Sequence, residues 1–157
     1  MSSRVGREDD LKRILVICTG NRARSQMAEG WLRHLGKDTL EVRSAGTEPK
    51  GVHPLAIEAM AEVGIDITRQ TSNHVATYGD QDFDLVVTVC DDAKEACPVF
   101  PGARRVLHRA FEDPDYPEMS RAELLDVFCR IRDEVGTWAE ELLGPCAPGP
   151  GGPQSKR

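Results

Sequence analysis

Apolar runs and helical stripes alternate along this chain. Ile14-Leu15-Val16-Ile17 is a short, largely β-branched run that ends at Cys18, the pattern of a buried strand. From Ser25 to Leu35 the period lengthens: Ala28, Trp31, Leu32 and Leu35 fall on one helical face, and Gly36 is expected to stop the helix. Val42 lies in a short second strand that ends at Ser44-Ala45-Gly46. A second helix is predicted next, with Pro54 in its first turn, Ile57, Met60 and Val63 on one face, and Gly64 at its end. Leu85-Val86-Val87-Thr88-Val89 is a continuous apolar run, as in a central parallel strand covered on both faces, and it ends at Cys90. Arg104 to Leu107 reads as one more, shorter strand. The last helix has the clearest stripe: Leu124, Phe128, Ile131, Val135, Trp138 and Leu142 are spaced 4, 3, 4, 3, 4.

Strand and helix in alternation predict an α/β layer fold with a mainly parallel sheet. The 157 residues suit one domain with a core that needs no staples. Its expected limits are 12–143, preceded by a flexible stretch 1–11 and followed by a disordered tail 144–157, where eight of fourteen residues are Gly or Pro. The balance of 20 basic against 26 acidic residues, net −6, argues against general binding to nucleic acid or to anionic membranes. No apolar run approaches the roughly 20 residues of a membrane-spanning helix. Met1 to Asp10 is charged and carries no apolar signal region, so a cytoplasmic location is expected.

In parallel sheets, ligands bind beyond the carboxyl ends of the strands. Cys18 and Cys90 both sit at such ends. The segment Cys18-Thr19-Gly20-Asn21-Arg22-Ala23-Arg24-Ser25 joins a strand to a helix start. Gly20 and Asn21 tolerate positive φ, so the loop can curl with its N–H groups inward. Such a nest, with the helix N-terminus behind it, binds a tetrahedral oxyanion. Arg24 adds a planar fork for bidentate contact with two oxygens. The same positive field favours a thiolate, so the pKa of Cys18 is expected below the free-thiol value of about 8.5. Ser25 can donate a hydrogen bond to that sulfur.

The five cysteines are an odd number, and without a signal region they read as structural, metal-binding or catalytic. Cys90 and Cys97 flank Asp91-Asp92-Ala93-Lys94-Glu95-Ala96. They are incidental thiols at a helix start, a metal pair or a redox pair, though an x6 spacing is not the usual x2–x4 of zinc. If 91–96 is helical, the two lie about 10.5 Å apart along the axis, whereas a disulfide needs Cα atoms within about 7 Å. A bond between them would require the segment to unwind, which suits a redox switch. Asp113-Pro114, with Asp115 and Pro117, reads by itself as turn chemistry. Cys129 and Cys146 read as bystanders, and His34, His53, His74 and His108 have no ligand spacing.

Cys18 to Gly30, CTGNRARSQMAEG, resembles the active-site loop of the low-molecular-weight protein tyrosine phosphatase fold. More narrowly it is similar to the thioredoxin-coupled arsenate reductases, whose loop reads CTGN-x-x-RSQMAEG. The similarity continues through Ser44-Ala45-Gly46, Ala56-Ile57-Glu58-Ala59-Met60, Asp84-Leu85-Val86-Val87-Thr88, Cys97-Pro98 and Phe111-Glu112-Asp113-Pro114, covering roughly residues 12 to 142. Ala23 stands at a variable loop position, frequently Cys in that family.

The resemblance implies a four-stranded parallel sheet flanked by helices. It implies arsenate bound in the loop 19–24 (Thr19, Gly20, Asn21, Arg22, Ala23, Arg24), with Cys18 as nucleophile and Asp113 as general acid. Cys90 and Cys97 match the second and third redox cysteines, and thioredoxin is the implied reductant, so no metal or organic cofactor is expected. A monomer is expected. Some arsenate reductases of this family bind potassium beside the loop, at positions matching Asn21, Glu29, Ser44 and Asn73. The last is Asp in the potassium-dependent pattern, and the neutral Asn removes a charged ligand, so a strong potassium site is not expected. The competing reading is a phosphatase that hydrolyses phosphate monoesters with Cys18, Arg24 and Asp113 alone. It leaves Cys90 and Cys97 without a job, and Asp115 stands where phosphatases of this fold carry an aromatic pair. A further alternative, a trithiol sensor for arsenite or a soft metal, would not require Arg24 or Asp113.

Overall fold

The computed structural model describes residues 11–89 and 102–144 of the 157-residue chain. Cys90, Cys97 and the expected helical segment 91–96 between them lie outside the described residues, as do residues 1–10 and the tail beyond Gly144, Cys146 included. The apolar runs become strands β1 (Arg13–Cys18), β2 (Glu41–Gly46), β3 (Leu85–Thr88) and β4 (Val106–His108). They form one sheet in the order β2-β1-β3-β4, every neighbouring pair parallel. The expected single-domain, four-stranded parallel α/β architecture is therefore the observed one.

The two central strands explain their own composition. Ile14, Leu15, Val16 and Ile17 of β1 and Val87 of β3 have no exposed surface, because a parallel strand between neighbours is covered on both faces. β4 is an edge strand, starting at Val106 instead of Arg104, and its three residues stay exposed. Leu11 is buried too, so the packed domain begins one residue before the expected limit.

Three helices complete the described residues: α1 (Arg24–Gly36), α2 (Pro54–Glu62) and α3 (Arg121–Leu143). Ser120 caps α3 with a reciprocal pair of bonds, its hydroxyl accepting from the Glu123 N–H while the Glu123 carboxylate accepts from the Ser120 N–H. α3 packs along both other helices. Trp31 of α1 lies over Gly136, where an added Cβ would meet the indole at 2.6 Å. The same indole N–H donates to the Arg132 carbonyl at 3.0 Å. Arg132, 8% exposed, donates to the Ala59 carbonyl at 3.0 Å and to Glu62 at 3.3 Å. A guanidinium thus serves one of the last-turn carbonyls of α2.

One expectation needs correction. The buried face of α2 is Leu55, Ala56, Ala59 and Met60. Ile57 is only partly buried, and Val63 is 38% exposed. Helix α2 ends at Glu62, and Gly64 takes the left-handed turn at φ 82°, so Val63 falls beyond the last turn that could carry it inward. Helix α1 ends at Gly36, as expected. This glycine stays helical at φ −86° and lets Leu40 approach, with 2.6 Å to an added Cβ, while Lys37 turns the chain at φ 50°.

The α1–α3 contact sets a packing test. Gly136→Val would drive a branched side chain into an indole pinned by its own hydrogen bond. A loss of about 1–3 kcal/mol is expected, read as a lower urea midpoint at unchanged slope. An unchanged midpoint would show that the two helices are not in contact there.

Candidate active site

Cys18 ends β1 and is 2% exposed. The register pairs it with Gly46, the last residue of β2. A Cβ at Gly46 would stand 2.5 Å from the Thr19 carbonyl oxygen and 2.9 Å from that of Cys18, so only glycine lets the loop turn this tightly past the neighbouring strand. The carbonyls that follow are drawn outward. Thr19, Gly20 and Arg22 accept from the N–H groups of Glu48, Lys50 and His53 at 2.8, 2.9 and 3.1 Å. The Asn21 carbonyl accepts from Gln26 Nε2 at 3.0 Å. With these oxygens tied to neighbouring segments, the loop leaves its amides for an oxyanion, as a nest requires.

Asn21 is the hub. It is fully buried and takes the left-handed conformation at φ 48°, a region that asparagine enters more readily than most residues. Gly20, expected to share that role, does not have a positive φ. The Asn21 backbone N–H donates to Cys18 Sγ at 3.2 Å. Its carboxamide Nδ2 donates to Ser25 Oγ and to Ser44 Oγ, both at 2.9 Å, and its Oδ1 accepts from the Asn73 N–H at 2.8 Å. Since Asn21 donates into Ser25 Oγ, the Ser25 hydroxyl hydrogen is available to Cys18 Sγ, 2.9 Å away. Hydrogen bonds given to a thiolate favour it over the thiol.

Above the sulfur is a cleft of about 220 Å³. Among the expected site residues, Cys18, Thr19, Gly20, Arg22, Ala23, Arg24 and Asp113 line it. Asn21 and Ser25 do not; they lie beneath, fully buried, where they hold the thiol. Arg24 opens α1 and donates from Nη1 to the Phe111 carbonyl at 3.2 Å, with Nη2 3.6 Å from Asp113 Oδ2. The Asp-Pro turn is therefore carried from the end of β4 to the cleft mouth. Lys50, His53 and Asp115 also line the cleft, and sequence reasoning missed all three. His53 had no ligand spacing to mark it, because its neighbours in the cleft come from residues 22 and 115.

The four positions of the implied potassium site do converge, yet they do not fit a cation. Glu29 is buried, and its Oε2 already accepts from Arg33 at 2.7 and 2.9 Å. Its Oε1 accepts from Ser44 Oγ at 2.6 Å. The Asn73 carboxamide donates to Thr71 Oγ1 at 2.8 Å and to Tyr78 at 3.3 Å, turning hydrogens toward that region. A guanidinium on Glu29, the one buried carboxylate among the described residues, supplies the positive charge that a potassium ion would bring.

His53 makes a pH test. Burial, with the charge of Arg22, holds its pKa below the ordinary value of 6.5, and Asp115 offsets only part of this. The folded state thus binds the proton less readily than the unfolded chain, so stability is full above about pH 6.5 and falls as the pH drops below it. His53 also caps α2, its Nδ1 accepting from the Leu55 N–H at 3.0 Å. Asn is a good cap, so His53→Asn keeps the cap and deletes the titration. Urea unfolding at pH 7.5 and 5.5 should show a smaller acid loss in the variant than in the wild type; equal losses would contradict the assignment.

The low molecular weight phosphotyrosine protein phosphatase model matches residues 13–143. An arsenate reductase of Halalkalibacterium halodurans is 46% identical over 125 residues, which cover 80% of this chain and 90% of that protein. One of Bacillus subtilis is 44% identical, covering 83% and 94%. Among solved structures, an arsenate reductase in a phosphate-binding state superposes with a TM-score of 0.74 at 34% identity, covering 87% of this chain and all of the other. The low molecular weight protein tyrosine phosphatase of T. tengcongensis gives 0.71 at 25% identity, covering 84% and 97%. A strand-end cysteine beneath an outward-tied loop, an arginine opening the next helix and an Asp-Pro turn across the cleft agree with these matches: the chain belongs to the low molecular weight phosphotyrosine protein phosphatase family.

Proposed function

We propose that this chain reduces arsenate to arsenite by a relay of three thiols. The observation that carries the reading is the sulfur of Cys18, on the floor of the cleft with donors from Asn21 and Ser25, in a chain 46% identical to an arsenate reductase. Arsenate occupies the loop 19–24, its oxygens facing the loop amides and the Arg24 fork. The Cys18 thiolate attacks arsenic and displaces one oxygen, which Asp113 protonates so that it leaves as water. Cys90 then attacks Cys18 Sγ. The sulfur–arsenic bond breaks with its electron pair going to arsenic, so arsenic(V) becomes arsenic(III), and a Cys18–Cys90 disulfide forms. Cys97 attacks Cys90 and frees the Cys18 thiolate. The resulting Cys90–Cys97 disulfide is reduced by the dithiol of thioredoxin, and the thiols carry both electrons throughout. No metal or organic cofactor enters the sequence of steps, and the chain acts as a monomer in the cytoplasm.

Hydrolysis of phosphate monoesters is the second reading. Cys18, Arg24 and Asp113 suffice for it, and the resemblance to a solved phosphatase favours it. The cleft wall weighs against an aryl phosphate as the main substrate. Among the described residues, no Phe, Tyr or Trp lines it, and Tyr116 is turned to bond Glu112 instead. Phosphatase activity is therefore proposed as a weak side reaction.

Arsenite production with thioredoxin, thioredoxin reductase and NADPH, run beside p-nitrophenyl phosphate hydrolysis, separates the two. Cys18→Ser should abolish both activities, while Cys90→Ser and Cys97→Ser should end sustained reduction and spare the hydrolysis. Normal arsenate turnover in either of the latter would refute the relay. Anion recognition is tested separately: saturating sulfate should protect Cys18 from alkylation, and Arg24→Lys should weaken the protection because an ammonium lacks the bidentate fork. Equal alkylation rates with and without sulfate would remove the basis for the oxyanion loop.

A further inference from the structure

One side of the cleft is closed by groups that the relay does not use. Asp115 Oδ2 accepts from Arg22 Nη1 at 3.1 Å, and Asp115 Oδ1 lies 3.6 Å from His53 Nε2. Three separate segments meet here: the loop after β1, the cap of α2 and the turn after β4. His53 is held firmly. Its Nδ1 accepts from Leu55, its backbone N–H donates to the Arg22 carbonyl at 3.1 Å, and its ring packs on Phe128 at 4.6 Å between centroids. Because Nδ1 is an acceptor, the neutral ring carries its hydrogen on Nε2, the nitrogen that faces Asp115.

Asp115 is also joined to the general acid of the proposed reaction. Its backbone N–H donates to Asp113 Oδ1 at 3.1 Å, so one turn couples the two carboxylates. The other ties of this segment hold its stem. Glu112 pairs with Arg130 at 3.0 Å and bonds Tyr116, while Arg24 holds the Phe111 carbonyl. Asp115 ties the tip of the turn directly to the loop around Cys18. Outside the turn itself, the Asp113 carboxylate has the 3.6 Å approach to Arg24 and is 60% exposed on its side chain, so its position depends on what anchors the turn.

We propose that Asp115 is a positioning residue: its carboxylate, gripped by Arg22 and His53, fastens the turn 112–117 over the oxyanion loop and so holds Asp113 against the departing oxygen. This rests on the reading of Asp113 as the general acid. An exposed ion pair is a weak contributor to stability, but position is what counts here, since a shift of about 1 Å in a reacting group can cost orders of magnitude in rate.

The test uses the full chain with Asp115→Ala, Arg22→Met and the double variant. Arsenate turnover should fall about tenfold in kcat in each single variant. The double variant should be no worse than the poorer single, because both break one contact. The sulfate concentration that half-protects Cys18 should change no more than about threefold in Asp115→Ala, since only a screened surface charge is lost. The rate of Cys18 modification, followed by peptide mass spectrometry, should rise for the bulky neutral reagent N-phenylmaleimide and stay level for iodoacetamide. Wild-type kcat in Asp115→Ala, multiplicative losses in the double variant, or protection lost in step with turnover would each overturn the proposal. If the wild type reduces no arsenate, the functional reading fails, and the modification rates still judge the fastening: equal rates for both reagents in wild type and variant would end it.

Discussion

The two hydrogens of the Asn21 carboxamide go to Ser25 Oγ and Ser44 Oγ, while its backbone N–H goes to the Cys18 sulfur. Most of the site depends on this one residue. The chain of donors has a consistent direction: Arg33 gives to Glu29, Ser44 gives to Glu29, Asn21 gives to both serines, and the Ser25 hydroxyl is left to give to sulfur. A buried polar network is costly when any member is unmatched, and here the orientation of each group is dictated by the next. The carboxylate at its far end is paired with Arg33 at 2.7 Å. This is why the region of the implied potassium site holds together around a guanidinium, with Arg33, Arg43 and Arg69 beside Glu29, Ser44 and Asn73.

The floor and the roof of the cleft are built from different physics. The floor is buried, with Cys18, Asn21, Ser25 and Gln26 at 2% exposure or less, and its backbone carbonyls accept from Glu48, Lys50 and His53 while the Asn21 side chain accepts from Asn73. Its geometry is over-determined. The roof, residues 112–117, is held by ion pairs that reach solvent: Arg22–Asp115, Arg24–Asp113 and Arg130–Glu112. A rigid floor suits the nucleophile of the proposed reaction, which must stay in place. A roof held by exchangeable contacts suits its proposed proton donor, which must admit an oxyanion and then release a product.

The two proposed chemistries share one cleft, since a thiolate under a nest attacks phosphorus or arsenic alike. What turns attack into reduction is a second thiol able to reach Cys18 Sγ, and the proposed relay assigns that to Cys90. The rim adds its own bias. Arg22 and Lys50 beside the opening favour a small anion, and no aromatic side chain lines the cleft among the described residues.

The periodicity of the chain by itself determined the alternating elements and a mainly parallel sheet, because a strand buried on both faces can only be written as a continuous apolar run such as Ile14–Ile17 or Leu85–Val87. The loop Cys18–Ser25 was legible for a similar reason: its residues are contiguous, and a strand-to-helix turn brings them around one anion without help from the rest of the chain. The face of α2 was misread at Val63, because where a helix stops is settled by its packing and by Gly64. Only the tertiary structure decided the role of Asn21, since the register of β2 against β1 brings Ser44 alongside it. It likewise decided that Lys50, His53 and Asp115 share the cleft. Their separations in sequence carry no period, and they meet because residues 48–53 lie along the loop and the end of β4 delivers the Asp-Pro turn to the same mouth. Local pattern encodes which segments are strands and which loop can hold an anion; long-range packing alone encodes which side chains face it from elsewhere.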